Sequence, residues 1–235
     1  MVTGIDVVYL SYDEPLADEL YVRLRRVFGR GIKRLHGVSP LRRALKLTAE
    51  LVDTEHYWLV DGDFEVDLSF DPARVPPQGD DVAMTVLQAR NALNGLIYGN
   101  GGLKVIRTEA MRQMGDETVD VLAAIGKVEF LQICAGVTRI NQTPFHAWKA
   151  AYREVAMISR GSEYGMEPHW AEHVIDSWIN GGDGIHAAFG TSGAYAGIEF
   201  ARRVEADSEQ WQQINDPAWL RQQFDDCYRS PMNLP

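Results

Sequence analysis

Cysteine is scarce in this 235-residue sequence: only Cys134 and Cys227 are present. They have no zinc spacing with each other, and so few cysteines suggest a reducing compartment and no disulfide framework. No run of about 18 apolar residues occurs, so no membrane span is expected. The opening stretch MVTGIDVVYLSYDEP lacks a basic n-region, and Asp6 interrupts its apolar run. It reads as a first strand rather than a secretory signal, and the expected location is the cytoplasm. There is no glycine fingerprint of a dinucleotide site or a P-loop, no internal repeat and no low-complexity segment. Positive charge is in deficit, with a net charge of −10. That argues against broad, non-specific nucleic-acid binding, which depends on neutralising phosphates. Nine of the 23 lysines and arginines fall in the first fifth of the chain: Arg23, Arg25, Arg26, Arg30, Lys33, Arg34, Arg42, Arg43 and Lys46. They form either a local basic face or ordinary solvated helix faces.

Apolar residues make up 46% and charged residues 24%, enough for a normal globular core. IDVVYLS (5–11) is β-branched and aromatic, as a buried strand is. ADELYVRLRRVF follows with helical spacing, IKRLH (32–36) is a short strand, and SPLRRALKLTAELV is a helix with Ser39 as N-cap and Pro40 at N1. HYWLVDGD is a third strand. Strand, helix, strand, helix, strand opens a mainly parallel α/β sheet. DPARVPPQG is a loop and DVAMTVLQAR a fourth strand. NALNGLIYGNGGLKVIRTEAM is punctuated by glycine and asparagine as turns before a helix. KVEFLQICAG is a later strand, and from Thr143 the chain is mainly helical. Residues 1–140 are therefore expected as an α/β half and 141–235 as a mainly helical portion of one continuous domain.

Six clusters carry candidate chemistry. Asp61-Gly62-Asp63 puts two carboxylates at the end of the third strand, where open α/β sheets bind ligands. Such a pair suits a hard divalent ion, or else caps nearby amides. Arg90, Asn91, Gly99, Gly101, Gly102 and Lys104 join a flexible loop to cations, as an anion site does, or form a long turn. Asp13 and Glu14 follow the first strand, where they could hold a base or ribose, or favour a helix start. TPFHAWKAAYREV begins with Thr143 as N-cap; Glu154, off the apolar stripe of Phe145, Trp148, Tyr152 and Val155, is a candidate general base, with Arg153 beside it for phosphate. On spacing alone both fit a solvated helix face. His169, Glu172 and His173 match the HxxEH zinc-hydrolase pattern, which also arises by chance. His186, in a glycine- and alanine-rich stretch, is a candidate further metal ligand, and that stretch also suits tight helix packing.

The ordered set YLSYDEPLADELYVRLRR, KRLHGV, YWLVDGDFEV, RNALNGLIYGNGGLKV and TPFHAWKAAYREV resembles phage-encoded glycosyltransferase-like proteins over residues 5–160. It departs from them in lacking an extra serine before Pro144. The resemblance implies a GT-A fold, a nucleotide-sugar donor (a UDP-sugar) and a divalent ion, Mn2+ or Mg2+, at Asp61 and Asp63. Within that pair it implies Asp63 as the metal ligand and Asp61 on ribose or metal-bound water. It implies a nucleotide pocket lined by Asp13 and His36, and a transfer site lined by Arg90, Asn91, Gly101, Gly102 and Lys104. Glu154 would be the base if the reaction inverts the anomeric centre. The implied acceptor is 5-hydroxymethyluracil or 5-hydroxymethylcytosine in phage DNA. The alternatives are a glycan, protein or small-molecule acceptor, a non-catalytic nucleotide-sugar-binding protein, or a zinc hydrolase.

Overall fold

The computed structural model describes residues 4–162, 165–205 and 208–228. The chain divides into two compact units. One comprises Met1–Asn91, Ile97–Glu117 and Ala124–Arg139; the other comprises Ala92–Leu96, Thr118–Ala123 and Ile140–Pro235.

The first unit is an α/β sheet structure. Its opening follows the sequence pattern: β1 (Asp6–Ser11), α1 (Ala17–Phe28), β2 (Lys33–His36), α2 (Leu41–Glu50) and β3 (His56–Asp61). Then come β4 (Phe64–Val66), β5 (Met84–Asn91), β6 (Ile97–Tyr98), β7 (Leu103–Arg107), α3 (Thr108–Arg112) and, after a short α4 (Val121–Ile125), β8 (Val128–Thr138). The strand order is β2-β1-β3-β7-β5-β8-β4, with β6 paired to β5. β1 pairs parallel with β2 and β3, and β5 parallel with β8. β7 runs antiparallel to both β3 and β5. β1, β2, β3, β5 and β8 therefore share one direction, and β4, β6 and β7 oppose it. The sheet is mixed, with most of its strands pointing one way.

Helices cover both faces. Leu20, Leu24 and Phe28 recur every four residues along α1 and bury against Val7, Tyr9, Trp58 and Val60. Asp18 and Glu19 in its first turn and Arg25 and Arg26 in its last match the helix dipole. On the opposite face the α2 residue Thr48 places its hydroxyl 2.7 Å from the Tyr57 hydroxyl of β3. The expected Ser39 cap is replaced: Pro40, which has no N–H to leave unsatisfied, occupies the N-cap position in extended conformation, with no side-chain cap. The segment expected only as turns also contains β6 and β7. Leu103 and Val105 join the α1-side core while Lys104 and Ile106 alternate to the other side. That period of two is a strand signal, and the glycines before it permit the reversal.

The second unit is helical: α5 (Pro144–Ile158), α6 (Pro168–Asn180), α7 (Ala187–Arg203), α8 (Glu209–Gln212) and α9 (Pro217–Tyr228). Thr143 caps α5, accepting from the His146 N–H, with Pro144 at N1. Phe145, Trp148 and Tyr152 bury with Phe200, Trp211 and Leu220, and Trp148 stacks on Tyr152 at 4.6 Å between ring centres. From Ala187 to Arg203 the glycine- and alanine-rich stretch is an unbroken helix. A Cβ at Gly193 would lie 2.3 Å from the Trp148 carbonyl oxygen, and one at Gly197 would lie 2.5 Å from that of Tyr152. Those glycines let α7 and α5 touch backbone to backbone.

Candidate active site

Each of the five strands that share a direction ends on a polar residue: Ser11, His36, Asp61, Asn91 and Thr138. Ser11, Asn91 and Thr138 are buried. Burying polar groups in a row is costly unless something there hydrogen-bonds to them. The order β2-β1-β3 also makes the chain leave β1 to one side for β2 and return on the other for β3, and this opens a crevice at the carboxyl ends of β1 and β3.

Asp61-Gly62-Asp63 turns in that crevice. A Cβ on Gly62 would lie 2.6 Å from Glu14 Oε2 and 2.7 Å from Ser11 Cβ, so the turn is pressed against the loop that follows β1. The Tyr9 hydroxyl holds it from beneath, 2.8 Å from the Gly62 carbonyl oxygen and 2.9 Å from that of Ala17. Burial, with Glu14, Asp63 and Asp61 nearby, pushes the Tyr9 phenol above its ordinary range and keeps it a neutral donor. Glu14 accepts from the Tyr12 N–H at 2.7 Å. Asp61 N–H donates to Gly102 O at 3.0 Å, and Asp63 O accepts from Arg139 N–H at 2.7 Å. Lys104 donates to Asp61 Oδ1 at 2.7 Å and also to Gly101 O. Gly101 has φ +84, and a Cβ on Gly102 would meet the Phe64 ring at 2.6 Å. Both glycines are needed for the loop to close over the turn.

Beside the crevice is a cleft of about 470 Å3 lined by Glu14, Asp18, Arg34 and His36. His36 Nδ1 lies 2.8 Å from Ser11 Oγ. Arg34 spans the rings of Tyr9 and Tyr21, 5.7 and 5.3 Å from their centres, and donates to Asp18 at 2.6 Å. Asp13 is exposed on the same loop as Glu14. The fold thus gathers Asp13, His36, Asp61, Asp63, Asn91, Gly101, Gly102 and Lys104 along one sheet edge, with Arg90 exposed on the penultimate position of β5.

Arg153, Glu154 and His186 belong to the second unit. Arg153 donates to Ile214 O at 3.1 Å and to Asn215 Oδ1 at 2.5 Å. Glu154 accepts from Trp178 Nε1 at 2.8 Å. His186 is the N-cap of α7, at φ 67, with its ring against Phe189. Among the described residues no three His, Cys, Asp or Glu side chains gather to hold a metal. The HxxEH residues are therefore not gathered as a metal site, and His186 belongs to a different unit from Asp61 and Asp63. His169, Glu172 and His173 stand exposed on α6. Asp61 and Asp63 still suit an ion of the Mg2+ type, which needs one or two protein carboxylates and draws its other ligands from water and phosphate. Lys104 competes for Asp61. Sequence reasoning passed over Ser11, Thr138 and Arg139. The signal was available: each is a polar residue at, or one past, the end of a β-rich run.

No protein-family model matches the chain, and no curated protein matches it. Several solved structures are similar. The bifunctional IspDF from Campylobacter jejuni is 16% identical over 54% of this chain, with a TM-score of 0.37; this chain spans about half of that one, 49%. The galactosyltransferase LgtC, solved with donor and acceptor sugar analogs, is 14% identical over 54% of this chain and 73% of its own, with a TM-score of 0.35. The mannosyltransferase PcManGT from Pyrobaculum calidifontis, solved with GDP-Man and Mn2+, is 9% identical over 97% of this chain and 88% of its own, with a TM-score of 0.42.

Proposed function

We propose that this chain is a glycosyltransferase that moves a sugar from a nucleotide-diphosphate sugar, a UDP-sugar in the first instance, to an acceptor hydroxyl. The observation that supports it most is the Asp61-Gly62-Asp63 turn, set in the β1/β3 crevice beside a cleft of about 470 Å3. Asp13, Arg34 and His36 would take the nucleoside, and Asn91, Gly101 and Gly102 would bound the diphosphate and sugar. Asp61 and Asp63 would hold Mn2+ or Mg2+, which when bound offsets charge on the leaving diphosphate. Tyr9 fixes the Gly62 carbonyl, so the turn that carries the two carboxylates is positioned before any ligand arrives. In the second unit Glu154, held by Trp178, is the base for an inverting reaction, with Arg153 beside it; retention requires no such base.

The finer proposal is that the acceptor is the hydroxymethyl group of 5-hydroxymethyluracil or 5-hydroxymethylcytosine in phage DNA, which the ordered motif set supports. Of the early cations, Arg23, Lys33, Arg34, Arg42 and Lys46 pair with Glu65, Asp6, Asp18 and Asp116 of their own unit. DNA binding through this chain should therefore depend only weakly on salt.

The test is a panel of nucleotide sugars against DNA containing either base, read by nucleoside mass spectrometry with Mn2+ present. Sugar should appear on the base with the wild-type chain and not with Asp63→Ala. Transfer that survives Asp63→Ala overturns the metal-centred site. Transfer only to glycans, proteins or small molecules overturns the DNA acceptor, and donor binding without turnover overturns the enzyme.

A further inference from the structure

Lys104 is the cation the sequence brings nearest to a donor diphosphate, but its ammonium is engaged by Asp61 Oδ1 and Gly101 O, and its side chain is 8% exposed. We infer that Arg139 instead grips the donor's diphosphate, an inference that rests on the nucleotide-sugar function proposed above. Arg139 immediately follows Thr138, the last residue of β8, and so stands at the same carboxyl edge. Its backbone N–H donates to the Asp63 carbonyl oxygen at 2.7 Å, which ties it to the Asp-Gly-Asp turn. Its Nε–H donates to Glu65 Oε2. Among the described residues its two Nη groups have no protein acceptor, and the side chain is 38% exposed.

A guanidinium with its Nε end anchored and its Nη end open matches a phosphate, because the parallel N–H groups can meet two oxygens at once. The anchor is itself fixed. Glu65 lies opposite Val137 in the β4–β8 ladder and has Arg23 3.6 Å away on its other oxygen. Held this way, Arg139 loses little side-chain freedom on binding. In the transfer step the acceptor oxygen bonds to the anomeric carbon as that carbon's bond to the β-phosphate oxygen breaks. The electron pair stays on that oxygen, and the acceptor proton passes to a carboxylate base. Arg139 meets the charge that gathers on the diphosphate.

The test is calorimetric titration of the full chain in EDTA, so that no metal contributes, with inorganic pyrophosphate, UDP and uridine as probes. The wild type should bind pyrophosphate and UDP. Arg139→Met should weaken both by roughly tenfold to a hundredfold, the weight of a charge-assisted bidentate contact. Its uridine affinity should stay unchanged. Arg139→Lys keeps the charge without the fork and should fall between. Arg26→Met, which removes an exposed cation of α1 that takes no part in the Glu65 pairing, should leave pyrophosphate affinity intact. Equal pyrophosphate affinity in wild type and Arg139→Met overturns the role of Arg139 and leaves the proposed function standing. If Arg139→Met does not fold, equal affinity in Arg139→Lys overturns it instead. A wild type that binds neither pyrophosphate nor UDP in EDTA overturns the role of Arg139, and one that also binds no UDP or UDP-sugar with Mn2+ restored overturns the proposed function as well.

Discussion

The Lys104 ammonium sits 2.7 Å from Asp61 Oδ1, with the lysine side chain 8% exposed and the aspartate 37%. A cation therefore already occupies one side of the first carboxylate of the Asp-Gly-Asp turn. Lys104→Met leaves Asp61 charged and without that partner. Because Asp61 is more than a third exposed, water recovers part of the loss, and the expected cost is roughly 1–2 kcal/mol by denaturant titration. Mn2+ affinity, measured by the spin-resonance signal of the free ion, should rise, since a competitor has gone. Weaker Mn2+ binding in Lys104→Met would show that the lysine orients Asp61 for the ion rather than competing with it.

Gly62 is constrained by its neighbours rather than by its backbone angle. A methyl there meets Glu14 Oε2 at 2.6 Å and Ser11 Cβ at 2.7 Å. The carboxylate can swing away, but Ser11 Cβ lies on a buried strand end and cannot. Gly62→Ala should therefore cost about 1–3 kcal/mol, as overpacking does, and should depress sugar transfer by shifting both aspartates. Adding Glu14→Ala should recover only part of the stability. Full recovery in the double variant would show that Ser11 gives way.

Much of the first unit was legible because each early element carries its own periodic signal. The apolar run of β1, the four-residue spacing of α1 and the run of β3 into Asp61 all fold as their patterns require. The Thr143-Pro144 start of α5 was legible for the same local reason. What escaped depends on partners far away in sequence. β7 separates β3 from β5 only because Leu103–Arg107 pairs with strands on both sides, which no local pattern specifies. Lys104 looked available because its partner, Asp61, lies 43 residues earlier. Arg139 went unnoticed because the Asp63 carbonyl that positions it belongs to a turn 76 residues upstream (139 − 63).

The glycines of α7 differ in what surrounds them. Gly193 faces the Trp148 carbonyl oxygen at 2.3 Å, a backbone atom that cannot yield. Gly190 faces Leu93 Cδ1 at 3.2 Å, the far end of a side chain rather than backbone. Gly193→Ala should lose roughly 1–3 kcal/mol through overpacking. Gly190→Ala should come close to neutral, because alanine gains about 1 kcal/mol of helix propensity against a small packing cost. Thermal melts of the two variants check the contrast; a near-neutral Gly193→Ala would show that α7 can slide away from α5, and an equal loss in Gly190→Ala that Leu93 cannot yield.

Alkali should destabilise the fold through tyrosines. Burial raises the Tyr9, Tyr57 and Tyr152 phenols above the ordinary tyrosine value of about 10. Below that value both native and unfolded states hold these protons, so stability is unaffected. Above it the unfolded chain releases protons that the native state keeps, and stability falls by about 1.4 kcal/mol per pH unit for each such tyrosine. Tyr152 is the cleanest probe, because its ring packs against Trp148 and Phe200 and a phenylalanine preserves that stacking. Tyr152→Phe should leave the urea midpoint nearly unchanged at pH 8 and lessen its decline between pH 10 and 11.5 by one tyrosine's share. An unaltered decline in Tyr152→Phe would mean that this phenol ionises in the folded protein as readily as in the unfolded chain.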